Sequence, residues 1–355
     1  MTDERTRREA AREAFSFQVK ACAELDAPFT GAVCAALIRA LDGEGEIARI
    51  VDGFELEPLA AALSLRLCGA LHFLARRGDV PALAGLYAQA GAAPDPAALD
   101  AAVAEAARRF PKVFADYVGR AVQTNEVMRS SALAPGYLAT HAVHPLPLRC
   151  LEIGASAGLN LAWDRYRYSF GGASWGRPES PLHLVPRWEG PPPPLGDATV
   201  AERAGCDLAP MDLGDAEERA RARSYVWAEQ AERLGRFDAA AGLAARSGIR
   251  VEKIDAGKFL ARELARPRDG QLTVVAHSVV YQYLSPETRE AFRRALESAG
   301  ARADARSPLG WLRLEPNPET FDFEVRLTLW PGGVDRRLAV AHPHGAWVRW
   351  EGLAP

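Results

Sequence analysis

Leu151-Glu-Ile-Gly-Ala-Ser-Ala-Gly-Leu-Asn-Leu161 is the stretch on which the reading of this chain turns. With Leu148-Arg-Cys150 before it, the apolar run Leu148 to Ile153 reads as a buried strand that stops at Gly154. Gly154 and Gly158 punctuate a turn, and Leu161 onward reads as a helix. Glycine lets the main chain approach a ligand closely, and a helix N-terminus presents N–H groups that lack intrahelical partners.

Downstream, the same grammar repeats. Ile249 to Ile254 reads as a strand ending at Asp255, Gly257 to Leu264 as a helix, and Leu272 to Ala276 as a buried strand. Ser285-Pro286 caps a helix that runs to Ala299, and Trp311 to Leu314 is another strand. Asp215 with Glu218 makes a capping-box-like start to a helix reaching about Arg246. Strands alternating with helices predict a mostly parallel sheet covered on both faces. The end of the chain differs. Phe321, Phe323, Val325, Leu327 and Leu329 alternate with polar residues, a half-buried strand. Pro331-Gly332-Gly333 then turns the chain, and Arg337 to Val340 and Trp347 to Trp350 return antiparallel. Residues 167–200, with Gly171-Gly172 and Pro191 to Pro194, read as an inserted hairpin and loop.

Upstream of His144-Pro145-Leu146-Pro147 the chain reads as helices. They are Asp3 to Leu25, Phe29 to Leu41, Leu59 to Arg76, and one that opens at Asp95-Pro96. The expected organisation is a helical N-terminal domain or lid over 1–145 and a Rossmann-like domain over 146–355.

Composition sets outer bounds. The 355 residues carry 43 Lys and Arg against 46 Asp and Glu, a net charge of −3, which excludes an overall polycationic nucleic-acid binder. The five cysteines form no C-x-x-C pair, which argues against a thiolate zinc site or disulfide framework. No apolar signal core opens the chain and no run of about 18 apolar residues occurs, so a cytoplasmic location and no membrane partner are expected. The oligomeric state is not legible.

The glycine turn admits two chemical readings. Glu152-Ile153-Gly154 resembles the first-strand end of class I S-adenosylmethionine-dependent methyltransferases, although Ser156 stands where their middle glycine would be. Their plan, too, is a parallel sheet that finishes in an antiparallel hairpin. On that resemblance Glu152, Gly154, Ser156, Gly158 and Asn160 would line the cofactor. Asp207, in Gly205-Cys-Asp-Leu-Ala-Pro210, would hold ribose hydroxyls and Asp255 would read the adenine amino group; a loop aspartate and a helix N-cap are the plain alternatives. The same residues spell G-x-S-x-G, an esterase elbow at Ser156, with Asp255 and His342 or His344 as triad partners. Against it, an α/β-hydrolase needs strands before the nucleophile, and the chain upstream is helical.

His277, leaving the fourth strand, is a candidate general base, with Tyr281 beside it; a hydrogen-bonded core histidine is the alternative. Gln123 to Ser130 is unusually polar for this Ala-rich half, so Glu126 and Arg129 are candidates to fold over the crevice and face a small-molecule substrate. His342-Pro-His344 places two imidazoles on one face of a strand, but no third ligand is evident and no metal is expected. A non-catalytic ligand-binding protein on a degenerate Rossmann-like sheet remains open.

Several strings together resemble the bacterial domain-of-unknown-function family 2332: Gln123-Thr-Asn-Glu126, the 151–161 stretch, Trp163-Asp-Arg-Tyr-Arg-Tyr168, Ser224-Tyr-Val-Trp227, His277-Ser-Val-Val280 and Ala341-His-Pro-His-Gly345. The resemblance covers nearly the whole chain and implies no activity. Tyr281 stands where that family's H-S-V-V-W-Q-Y string has Trp.

Overall fold

The structure is a computed structural model that describes residues 2–123 and 125–353. In chain order the elements are α1 (Thr2–Glu24), α2 (Pro28–Ala40), α3 (Glu46–Asp52), α4 (Leu63–Arg77), α5 (Pro81–Tyr87), α6 (Pro96–Arg109), α7 (Pro111–Val118) and α8 (Ser130–Val143). Then follow β1 (Leu148–Ile153), β2 (Arg167–Phe170), β3 (Ala173–Gly176), β4 (His183–Leu184), β5 (Arg187–Glu189), β6 (Val200–Asp207), α9 (Ala216–Ser224), α10 (Ala231–Arg246), β7 (Val251–Lys253) and α11 (Ala256–Glu263). The chain closes with β8 (Leu272–Ser278), α12 (Pro286–Gly300), β9 (Leu309–Pro316), β10 (Phe323–Trp330), β11 (Val334–Ala341) and β12 (Trp347–Trp350). These elements form two compact units, residues 1–124 with 215–235, and residues 125–214 with 236–355.

The first unit is a helical bundle. Leu67, Leu71 and Leu74 of α4 recur at helical spacing and are fully buried, packed with Phe29, Leu37 and Leu99. Pro96 follows the Asp95 N-cap, whose carboxylate accepts the Ala98 N–H, as the sequence predicts. The single helix expected from Asp215 to Arg246 is instead two, with a break after Ser224. His72 Nδ1 donates to the Ser224 carbonyl at 3.1 Å, taking the acceptor that a continuous helix would have given to residue 228. Past the break, Glu229 accepts the Thr30 N–H and hydroxyl at 2.8 and 2.7 Å, so tertiary bonds replace helical ones.

The second unit is a nine-stranded sheet in the order β7-β6-β1-β8-β9-β10-β11-β12-β5. The first five run parallel, and β10, β11 and β12 follow as an antiparallel meander. This is the mixed α/β, Rossmann-like sheet with an antiparallel close that the sequence predicts. Leu151 and Ile153 of β1 and Val275 of β8 face α11 and α12, packed with Phe259, Leu260 and Phe292. Each such side chain contributes on the order of 2 kcal/mol by leaving water. The other face carries α8, where a Cβ on Gly136 would lie 2.4 Å from Leu312 Cδ1, so only glycine lets α8 sit that close to β9. β2, β3 and β4 of the inserted stretch make their own small sheet, while β5 adds to the far edge of the large one.

Two local expectations change. After the glycine turn the chain forms a 3-10 stretch, Asn160–Arg165, and not an α-helix. The Tyr166 and Tyr168 hydroxyls donate to the Leu159 and Trp163 carbonyls at 2.5 and 2.8 Å, so those acceptors are withdrawn from an i+4 ladder. β11 ends at Ala341, so His342 and His344 lie in the turn before β12 rather than on one strand face. Among the described residues no helix is long and apolar enough to cross a membrane, and no three His, Cys, Asp or Glu side chains are grouped to hold a metal.

Candidate ligand site at the carboxyl end of the sheet

The strand order reverses between β1 and β8. β1 continues outward through β6 and β7, while β8 continues through β9. Connections leaving the two strands diverge there, and in open α/β sheets such a reversal, at the carboxyl ends of the strands, is where a ligand crevice is expected. Ile153 pairs with His277 across this point. Gly154 has φ +65°, and a Cβ on it would lie 2.4 Å from Val280 Cγ2. Both observations require glycine. Ser156 and Val279 adopt positive φ as well, +52° and +55°, on the two sides of the crevice. For the β-branched Val279 this is an outlier costing roughly 1–3 kcal/mol, a strain that gathers at functional sites.

The N–H groups of the glycine turn are held by this chain's own groups. Ser156 N donates to Asp207 Oδ2 at 2.9 Å, and Ala157 N donates to Asn125 Oδ1 at 3.1 Å. Asp207 also accepts the Ala209 N–H through Oδ1 at 2.9 Å. Asn125, in the segment that the sequence places over the crevice, therefore touches the glycine turn. Thr124 of that segment lies outside the described residues.

Pleat alternation divides the predicted site residues between the two faces of the sheet. On the α8 face lie Glu152, Asp207, Asn160, Glu126 and Arg129. Glu152 is 4% exposed, and its Oε2 has no hydrogen-bond partner among the described residues. Burial pushes its carboxyl up to about 8, the nearby Asp207 adds to the rise, and Arg129 and the Leu161 main chain oppose it. Arg129 Nε donates to the Pro343 carbonyl at 2.9 Å, and its Nη1 reaches the Ser278 carbonyl at 3.4 Å. Glu126 Oε1 accepts the Met128 N–H at 3.1 Å, capping the turn 127–129. Ser130 Oγ donates to Asn160 Oδ1 at 2.6 Å. The turn 342–345 closes over this group. A Cβ on Gly345 would lie 2.0 Å from the Met128 carbonyl oxygen. His344 N donates to His342 Nδ1 at 3.0 Å, and burial lowers the His342 pKa while Glu126 partly restores it.

On the α12 face lie His277 and Tyr281. Trp311 Nε1–H donates to His277 Nε2 at 3.0 Å, which leaves the proton on Nδ1, and Nδ1 donates to Glu315 Oε1 at 2.7 Å. Both ring nitrogens are thus engaged, in a wall made by Tyr281, Phe292 and Trp311. Asp255 caps α11, with Oδ1 accepting the Lys258 N–H at 3.1 Å and Oδ2 the Thr288 hydroxyl at 2.7 Å. Glu126 and Arg129 therefore do not converge with His277 and Tyr281 on one reacting atom.

Glu315 and Asn125 carry more of this geometry than sequence reasoning assigned them. Glu315 had one signal, an acid at the carboxyl end of a buried parallel strand. Asn125 had only its place beside Glu126.

The strings that meet at this end of the sheet are the glycine turn, residues 125–129, His277 to Val280 and the 341–345 turn, and all fall within one family's span. The family described as uncharacterized protein conserved in bacteria (DUF2332) matches residues 12–350. The chain belongs to that family. No curated protein matches it. In this DUF2332 chain the strings that mark the family are thus largely those that meet at one end of the sheet.

Proposed function

We propose that the crevice binds S-adenosylmethionine and that the protein transfers a methyl group to a small molecule. One observation carries this reading. Glu152, Asp207 and Asp255 stand at the carboxyl ends of β1, β6 and β7, three successive parallel strands beside a glycine turn. The residues fit the cofactor's chemistry. Glu152 Oε2 is buried and unmatched among the described residues, and an ammonium group would satisfy it once the carboxyl releases its proton. Each Asp207 oxygen holds one N–H and keeps a second lone pair for a ribose hydroxyl. Asp255 has the same capacity at the neighbouring strand end.

When bound, the cofactor supplies an electrophilic methyl group on a sulfonium. The chain's own groups orient and exclude water. Asn125 and Asp207 fix the turn, and Glu126, Arg129 and the 342–345 turn cover the α8 face. His277 would have to release Trp311 before taking a proton at Nε2, so we assign it to holding the 279–283 segment.

A second reading, ligand binding without catalysis, is favoured by the engaged state of the turn N–H groups and of His277. Incubation with S-adenosylmethionine and a small-molecule extract separates the two. Methyl transfer predicts S-adenosylhomocysteine formed in proportion to the extract. Binding alone predicts a melting shift with no turnover.

A further inference from the structure

Four observations meet on residues 279–283. Val279, the first residue beyond β8, has φ +55°. The methyl groups of Val280 lie where a Cβ of Gly154 would be. Glu315 Oε1 accepts three N–H groups at once, His277 Nδ1 at 2.7 Å, Val280 N at 2.9 Å and Tyr281 N at 3.2 Å. Tyr283, at the tip, is 77% exposed, so the segment is not held by burial of its own end.

A single carboxylate thus ties the end of β9 to a strained segment leaving β8. The sheet pairs Ser278 with Leu314, which brings Glu315 beside the first residues past the strand. Val279 N donates to the Leu314 carbonyl at 2.9 Å, so the last ladder bond is made by the strained residue's own N–H. Beyond that bond, the Glu315 carboxylate replaces the ladder for the next two N–H groups. Negative charge suits this position, since all three donors point at one oxygen. Trp311 fixes the far side of the His277 ring, so the imidazole is a rigid donor and not a free one.

We propose that Glu315 is a positioning residue that holds 279–283 in its strained form against Gly154, and that this segment is the wall selecting what enters beside the glycine turn. Without the carboxylate, two main-chain N–H groups and one imidazole N–H lose their acceptor together. Val279 then relaxes toward negative φ and Val280 withdraws from Gly154. The proposal rests on the reading that the crevice takes a ligand, but its first readout does not.

Amide hydrogen exchange on the full chain, with and without S-adenosylhomocysteine, tests it. Glu315→Gln keeps an acceptor oxygen at the same reach, and Glu315→Asp keeps the charge but falls short by one methylene. Val280 and Tyr281 should exchange about tenfold faster in Glu315→Asp and Glu315→Ala, within roughly threefold of wild type in Glu315→Gln, with Val274 to Ala276 unchanged throughout. Should Glu315→Ala fail to fold, the Gln and Asp pair carries the comparison. Equal exchange in all variants overturns the latch, as does faster exchange spread evenly over the second unit. For the wall, Glu315→Asp should shift S-adenosylhomocysteine affinity by roughly fivefold. A loosened segment with unchanged affinity overturns that part. Absence of binding to the wild type would defeat the cofactor reading separately and leave the exchange result to decide the latch.

Discussion

Asn125 Oδ1 accepts the main-chain N–H of Ala157 at 3.1 Å, which ties the start of the second unit to the middle of the glycine turn. Asn125→Ala would leave that N–H without an acceptor, and we expect a loss of roughly 1–2 kcal/mol in denaturant unfolding. Asn125→Asp, which keeps the oxygen, should recover most of it. Equal stability of wild type and Asn125→Ala would show that the bond does not order the turn.

Much of this was legible because it depends on local pattern. The β1 run, the Asp95 and Ser285 caps and the antiparallel close follow from periodicity and turn chemistry, and each is present. What escaped is tertiary. Nothing local says that Tyr166 and Tyr168 would take the carbonyls of an incipient helix, or that His72 would break one at Ser224. α8 reads as one more bundle helix, yet it packs on β9 and β10; from Ser130 to Thr140 it is buried throughout, as a helix covered on all sides is. The site residues were found by strand ends, while their division between two faces follows from the register, which sequence does not state.

Glu152 makes a pH prediction. Its folded pKa of about 8 lies above the ordinary 4.5, so between those values the native protein holds a proton that the unfolded chain has released. Stability therefore falls as pH rises through that window, by on the order of 5 kcal/mol in all. Glu152→Gln mimics the protonated form. It should match wild type near pH 4–5 and exceed it above pH 8 in unliganded protein. Parallel stability curves for the two proteins would contradict the buried, unmatched carboxyl.

Gly154→Ala meets two penalties, a positive φ and the Val280 methyl groups 2.4 and 2.8 Å from the new Cβ. We expect a loss of roughly 2–4 kcal/mol. Adding Val280→Ala should relieve the steric part and leave about 1 kcal/mol for the backbone. A double variant no more stable than the single would place the clash elsewhere.

Ser156 is 6% exposed, and Asp255, its partner in an esterase triad, caps α11. A fluorophosphonate probe should leave Ser156 unlabelled. Labelling abolished by Ser156→Ala would restore the esterase reading.

Calorimetric titration of S-adenosylhomocysteine into wild type, Glu152→Gln and Asp207→Asn decides whether the crevice binds S-adenosylmethionine through Glu152 and Asp207. We expect a wild-type Kd below roughly 100 µM and a loss of about tenfold, or ~1.4 kcal/mol, in each variant. No heat and no melting shift for the wild type at about 1 mM ligand would contradict it.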